Sequence, residues 1–373
     1  MNTVAMEASG SDKIEWKQLW SLAALYASIV IGWIAYHNYQ PKLLEQFHFT
    51  DFTFFLMVAQ GIILVITPLV AGKLGDKYRF KRGDRIPVIS TGISFAAMMF
   101  MAVAFTLFSN PNETFRWILP LLIICWLIAM SIFTSPALST LELFTPVDKL
   151  PRAMAVLTIV ANLVYSLEPV IVDLIDFLGA PLTFMAGGVA VFLSGYALKK
   201  NSLSLFKNNP EKPKAEINLN TQKSDIGFIL FLGLALGVST TVLFNYFPQI
   251  MEKSLSGLFN GLEGKWWLVI VLVISAIASL PVSGMINTYG TGKSFWASLW
   301  INAASVVALF IFGSPTMVVP LLVIFAISFT FLSVSSLPLA ISKANYYEKV
   351  FCVGIFFSGT ALPDGIIDAI QAF

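Results

Sequence analysis

Apolar residues run along this chain in long stretches of roughly 18 to 26, enough for a helix to cross a ~30 Å hydrocarbon layer. Eleven such runs stand near 17–41, 52–75, 86–109, 116–144, 152–178, 181–198, 226–251, 266–287, 294–312, 316–341 and 347–371. Each predicts a membrane-spanning helix, and together they predict an all-α integral membrane protein. Asp12, Lys13, Glu15 and Lys17 lead into the first run, which has no small-residue cleavage site and therefore reads as a retained span.

One polar interruption is longer than the rest. Lys199 to Asp225 carries Lys199, Lys200, Lys207, Lys212, Lys214 and Lys223 and reads as a flexible cytoplasmic linker. It divides residues 1–198, with six spans, from residues 226–373, with five. The two parts echo one another: HNYQPKLLE from His37 returns 207 positions later as FNYFPQIME from Phe244. Fainter echoes join LEPVIVDLID to LPDGIIDAI and GKLGDKYRFKRGDR to GMINTYGTGKS. A repeat of this kind predicts two pseudo-symmetric helical bundles related by an axis along the membrane normal.

Composition agrees, since 57% of the 373 residues are hydrophobic and only 12% charged, more apolar surface than a soluble domain can hide. With the amino terminus placed in the cytoplasm, only Lys42, Arg116, Lys253 and Lys265 of the 23 basic residues fall on the opposite side. The net charge is only +2 and the basic residues flank membrane spans, so membrane lipids and not nucleic acid are the expected partners. Cys125 and Cys352 are isolated thiols within apolar runs and read as packing residues. No metal-ligand spacing, catalytic triad or nucleotide-binding loop is present, so no metal, cofactor or enzymatic activity is expected.

The segment from Gly72 to Arg85 resembles the signature between the second and third helices of the major facilitator superfamily of secondary transporters. Gly72, Asp76, Lys77, Lys81, Arg82, Gly83 and Arg85 carry the match, and STLELFTPVDKLPRAMA, with Glu142 and Arg152, is similar to that family's junction between helices four and five. The resemblance is nearest to sugar-type symporters. It implies two bundles rocking about a central site, with Gly72, Asp76, Lys77, Arg82, Gly83, Arg85, Glu142 and Arg152 as the conformational gate. Two departures stand out. The family has twelve helices where eleven are read here, and no Lys or Arg lies between Trp117 and Asp148, where the family often carries an arginine. The expected setting is a monomer in a bacterial inner (plasma) membrane.

Ionisable groups at membrane depth are costly and usually face a cavity. At about 100° per residue, Asn162, Tyr165, Ser166, Pro169, Asp173 and Asp176 share one stripe of the fifth span, with Glu168 turned toward a neighbouring helix. In the eleventh span Thr360, Asp364, Asp368 and Gln371 do the same. Glu168, Asp173 and Asp364 are the candidate proton-coupling groups, because desolvation favours a neutral carboxyl. The competing reading of Asp173 and Asp176 is emergence into solvent. Trp33, His37, Asn38, Gln60, Asn162, Tyr165, Asn245, Gln249 and Thr360 are the candidate substrate contacts, mixing aromatic platforms with hydrogen-bonding groups. These cavity candidates include no Lys or Arg, which disfavours an anionic substrate. The function expected is proton-coupled symport of a small, neutral, sugar-like solute. The alternatives are a proton-coupled exporter of cationic or amphipathic compounds and a ligand-sensing or scaffolding protein that moves nothing.

Overall fold

The computed structural model describes residues 13–46, 53–109, 117–208, 211, 223–255, 263–312 and 314–371, and every regular element among them is a helix. The first half comprises α1 (Trp16–Gln46), α2 (Thr53–Arg82), α3 (Ile86–Phe108), α4 (Ile118–Ser139), the single turn α5 (Leu141–Phe144), α6 (Leu150–Ser166), α7 (Glu168–Leu178) and α8 (Ala180–Asn208). The second half comprises α9 (Ile226–Thr241), α10 (Phe247–Leu255), α11 (Gly264–Tyr289), α12 (Thr291–Ile311), α13 (Pro315–Lys343) and α14 (Lys349–Gln371). Among the described residues ten helical runs are long and apolar enough to cross a membrane, two of them continuous through α4–α5 and α9–α10. The pair α6–α7 passes the same test only together, across a bend of 57°, and makes eleven when counted as one span.

Lipid offers the backbone no hydrogen bonds, so helices are the economical way to cross, and the interruptions have local causes. Pro169 at the start of α7 has no N–H to continue the α6 ladder, which accounts for the break at Leu167. Between α9 and α10, Val242–Tyr246 form a π-helical turn, a local widening often found at functional sites.

Within the first half α1 packs on α6 and α8, and α3 on α4 and α8; within the second, α14 packs on α9, and α13 on α11 and α12. The halves meet along two seams, α2 against α14 and α6 against α11. The first seam is close because it is lined with glycine: a methyl group on Gly72 would stand only 2.6 Å from the Phe351 Cα. The second carries a buried polar chain, in which Asn162 donates to Ser275 Oγ at 2.8 Å and the Thr330 hydroxyl donates to the same oxygen at 2.8 Å.

The repeat survives as backbone geometry. Gly83 and Gly290, again 207 positions apart, turn the second span of each half into the third with φ of 87° and 91°. Short 3₁₀ turns, Val147–Lys149 and Tyr346–Glu348, lead into the fifth span of each half. These correspondences define a linker end, where α2 and α8 finish, and a far end, where α1 and α14 finish.

Candidate functional site

A buried charge cluster closes the linker end across the first seam. Asp76 on α2 accepts the backbone N–H groups of Val350 and Phe351, at 3.2 and 2.8 Å, from the other half. Its oxygen also lies 3.0 Å from Arg79 Nε. Arg79 bonds the Tyr346 carbonyl and lies 3.5 Å from Glu211. Arg85 binds Ser139 through both its hydroxyl and its carbonyl, Glu142 at 3.1 Å, and Glu211. Glu142 in turn pairs with Lys349 across the seam. Burial works against the charge on Arg85, but the Glu211 and Glu142 carboxylates more than offset it and hold the guanidinium protonated beyond its ordinary range. Three cations thus face three carboxylates, the balance a buried cluster needs.

Deeper and toward the far end, polar and aromatic side chains of both halves gather into a second cluster. His37 on α1 is exposed. Around it stand Trp33, with ring centres 6.0 Å apart, and Tyr36 at 5.5 Å. The Tyr36 hydroxyl donates to Gln60 Oε1 at 2.7 Å. Tyr165 at the end of α6 meets Phe244 of the π-helical turn at 5.0 Å. From that turn Asn245 Nδ2 donates to Asp364 Oδ1 at 3.2 Å. Asp364 acts electrostatically on His37, Tyr165 and Asp368, and Asp368 acts on Tyr36. Glu168, half-buried at the α6–α7 break, acts on Tyr165 from the other side.

The remaining sequence candidates lie apart from these two centres. Asn38 donates to Asp176 at 3.2 Å, and Lys42 reaches the same oxygen at 2.8 Å, forming an exposed cluster within the first half. Asp173 and Gln249 are exposed. Asn162 is taken up by the second seam, and the Thr360 hydroxyl by the carbonyl of Phe357 at 2.8 Å. Of the gate candidates, Gly72, Asp76, Gly83, Arg85 and Glu142 meet at the charge cluster. Lys77 and Arg82 are exposed outside it, and Arg152 lies with its guanidinium 5.9 Å from the Trp16 ring.

The model of the Major Facilitator Superfamily matches residues 22–363. The chain belongs to this family. Its solved structural neighbours agree in fold. The human organic anion transporter MFSD10 (TETRAN) is 13% identical with a TM-score of 0.67, over 97% of this chain and 94% of that one. A bacterial homologue of the iron transporter ferroportin, in an outward-facing state, is 17% identical with a TM-score of 0.64, over 96% of this chain and 91% of that one. No curated protein matches the chain in sequence. The major facilitator architecture therefore rests on the family match and on shape, and the chemistry rests on the residues themselves.

Two partners in the charge cluster escape a linear reading. Glu211 lies in the segment read as linker, yet it is buried, donates its backbone N–H to the Gly83 carbonyl at 2.7 Å and faces two arginines. Its only sequence signal is an acid among lysines. Lys349, the first residue of α14, has no signal beyond its position.

Proposed function

We propose that this major facilitator protein is a proton-coupled symporter of a small neutral polar solute, with Asp364 as the group that takes the coupled proton. The observation that carries the reading is a difference between the two repeats. In the first half Asn38 bonds an aspartate that Lys42 neutralises. In the second, Asn245 bonds Asp364, and the position of Lys42 is occupied by Gln249. Asp364 is left without a cation beside Asp368 and His37, and among the described residues no Lys or Arg joins that cluster, which we read as the solute-binding chamber. Two carboxyl groups one helical turn apart at membrane depth repel when both are charged, and proton uptake is the simplest way to relieve that repulsion.

Trp33, His37, Tyr165, Gln60 and Asn245 give the chamber flat apolar faces and hydrogen-bonding groups, a lining suited to a polyhydroxylated molecule. Basic residues at the linker end support a cytoplasmic linker, so the charge cluster is the inner gate and the chamber opens outward. Alternating access then consists of breaking the Asp76, Glu142 and Arg79 contacts across the first seam while the far end closes.

Purified protein in liposomes containing a pH-sensitive dye tests this. Addition of one member of a panel of hexoses and polyols acidifies the lumen by symport, and Asp364→Asn abolishes the signal. A second reading, exchange of an organic cation for protons, rests on the same uncompensated carboxylates and gives the opposite sign when tetraalkylammonium ions are added. The carboxylate chamber disfavours an organic anion, the class named for the human neighbour. Among the described residues no group of three His, Cys, Asp or Glu side chains could hold a metal ion, which disfavours iron as well. Silence with every solute and cation would leave the sensing or scaffolding reading.

A further inference from the structure

The outward face of α2 changes character part-way along the helix. Its exposed positions run Ile62, Ile66, Val70 and then Lys73, Lys77, Lys81. Spaced three or four residues apart, these six side chains share one sector of about 100°. Gly72, Asp76 and Arg79, which serve the seam with the other half, stand on a different face of the same helix. Three apolar turns therefore face lipid, and three lysines continue their line at the linker end. At 1.5 Å per residue the lysines stand about 6 Å apart and cover about 12 Å, against about 5–8 Å for the headgroup layer of one leaflet. They begin where the apolar turns stop, so they stand at headgroup level and look sideways into the bilayer surface.

These ammonium groups lack the counterions that other lysines of the protein have. Lys42, Lys265 and Lys349 each pair with a carboxylate, whereas none of the three does so among the described residues. Lys73 Nζ lies 5.1 Å from the Phe351 ring centre on α14, which brings the deepest lysine to the edge of the second half. The repeat provides an internal comparison. The positions 207 residues on are Leu280, Gly284 and Thr288 of α11, all exposed and none charged. The equivalent helix of the second half is thus built without such a stripe.

We propose that Lys73, Lys77 and Lys81 form a docking site for an anionic phospholipid of the leaflet at the linker end, its phosphate held between neighbouring ammonium groups and its acyl chains laid along Val70, Ile66 and Ile62. The occupant follows from the continuity of the stripe. A free phosphate would leave the apolar turns uncovered, and an acidic protein would have no acyl chain to place on them. Lysine stems suit the task, because they lie along apolar surface while the charged tip reaches the headgroup. The site is independent of which solute or ion the protein carries.

Native mass spectrometry of the full-length protein in detergent, supplied with equal amounts of dioleoylphosphatidylglycerol and dioleoylphosphatidylcholine, tests the assignment. The wild type should retain phosphatidylglycerol in preference, and replacing Lys73, Lys77 and Lys81 together by Gln should lower that retention about tenfold. Replacing the same three by Arg should preserve it. Lys77→Glu, a single change at an exposed position, should lower it severalfold without the burden of three substitutions. Removing three exposed charges from α8 instead, Lys199→Gln with Lys200→Gln and Lys207→Gln, should leave retention unchanged. Equal retention of the two lipids by the wild type overturns the proposal, as does equal loss in the two glutamine triples. Release of the lipid by inorganic phosphate, but not by chloride at the same ionic strength, would make this a site for the free anion and overturn it too.

Discussion

Asn245 and Asp364 meet at 3.2 Å on the second half of the molecule, and the matching asparagine, Asn38, meets Asp176 at the same distance on the first. The two pairs differ in what stands one helical turn further along: Lys42 in one copy, Gln249 in the other. The asparagines and the positions one turn after them follow the 207-residue repeat, the two aspartates do not, and only the first copy places a cation beside its aspartate.

A cation placed at Gln249 should silence coupling. Gln249→Lys supplies an ammonium one turn from Asn245, as Lys42 does for Asn38, and we expect pH-driven accumulation to fall at least tenfold while solute exchange persists. Asp364→Asn should give the same pattern, since an amide mimics the protonated acid. Uptake and exchange in liposomes check both, and full accumulation in both variants would refute the role of Asp364.

Position along the fifth span separates its carboxylates. Glu168 is half-buried at the bend and acts on Tyr165, whereas Asp173 is exposed and Asp176 is already paired with Lys42. Glu168→Gln should lower pH-driven accumulation severalfold or more, and Asp173→Asn and Asp176→Asn should leave most of it. Equal losses in all three would show that the chamber does not end where the bend places it.

The charge cluster predicts a gate that loosens without its linker residue. Glu211→Gln leaves Arg79 and Arg85 buried with one carboxylate fewer, a change that costs about 3 kcal/mol. Cys352, fully buried on α14 beside the gate, reports the result. In a Cys125→Ser background its labelling by a maleimide should rise several-fold in Glu211→Gln, and unchanged labelling would make Glu211 a bystander.

Gly72 offers a steric version of the same test. Because the added methyl of Gly72→Ala meets the backbone of Phe351 at 2.6 Å, α2 and α14 must part. Cys352 labelling should again rise and the melting temperature fall. A glycine whose surroundings are open, such as Gly284, should accept alanine with neither effect.

Much of this was legible in the order of residues, because lipid imposes one strong rule. Backbone polar groups must be satisfied within the span, so run length alone located the helices, the bent pair α6–α7 among them. The 207-residue echo carried the pseudo-symmetry, down to the paired turns at Gly83 and Gly290. The partners of individual polar groups were less legible. Asn162 and Tyr165 share a stripe, but one lies in a seam and the other borders the chamber, since a helix stripe faces two neighbours at once. Glu211 was hidden for another reason: a polar segment reads as solvated until a buried arginine is found waiting for its charge.

Asp76 carries a last consequence when α14 is considered as a helix with an end to be capped. The first N–H groups of any helix lack internal acceptors, and those of Val350 and Phe351 take theirs from a carboxylate on the opposite half. The second half thus takes a helix cap from the first, and an opening of this seam would remove it, at about 1 kcal/mol. If alternating access opens this seam, the amide protons of Val350 and Phe351 exchange with solvent only in that open state.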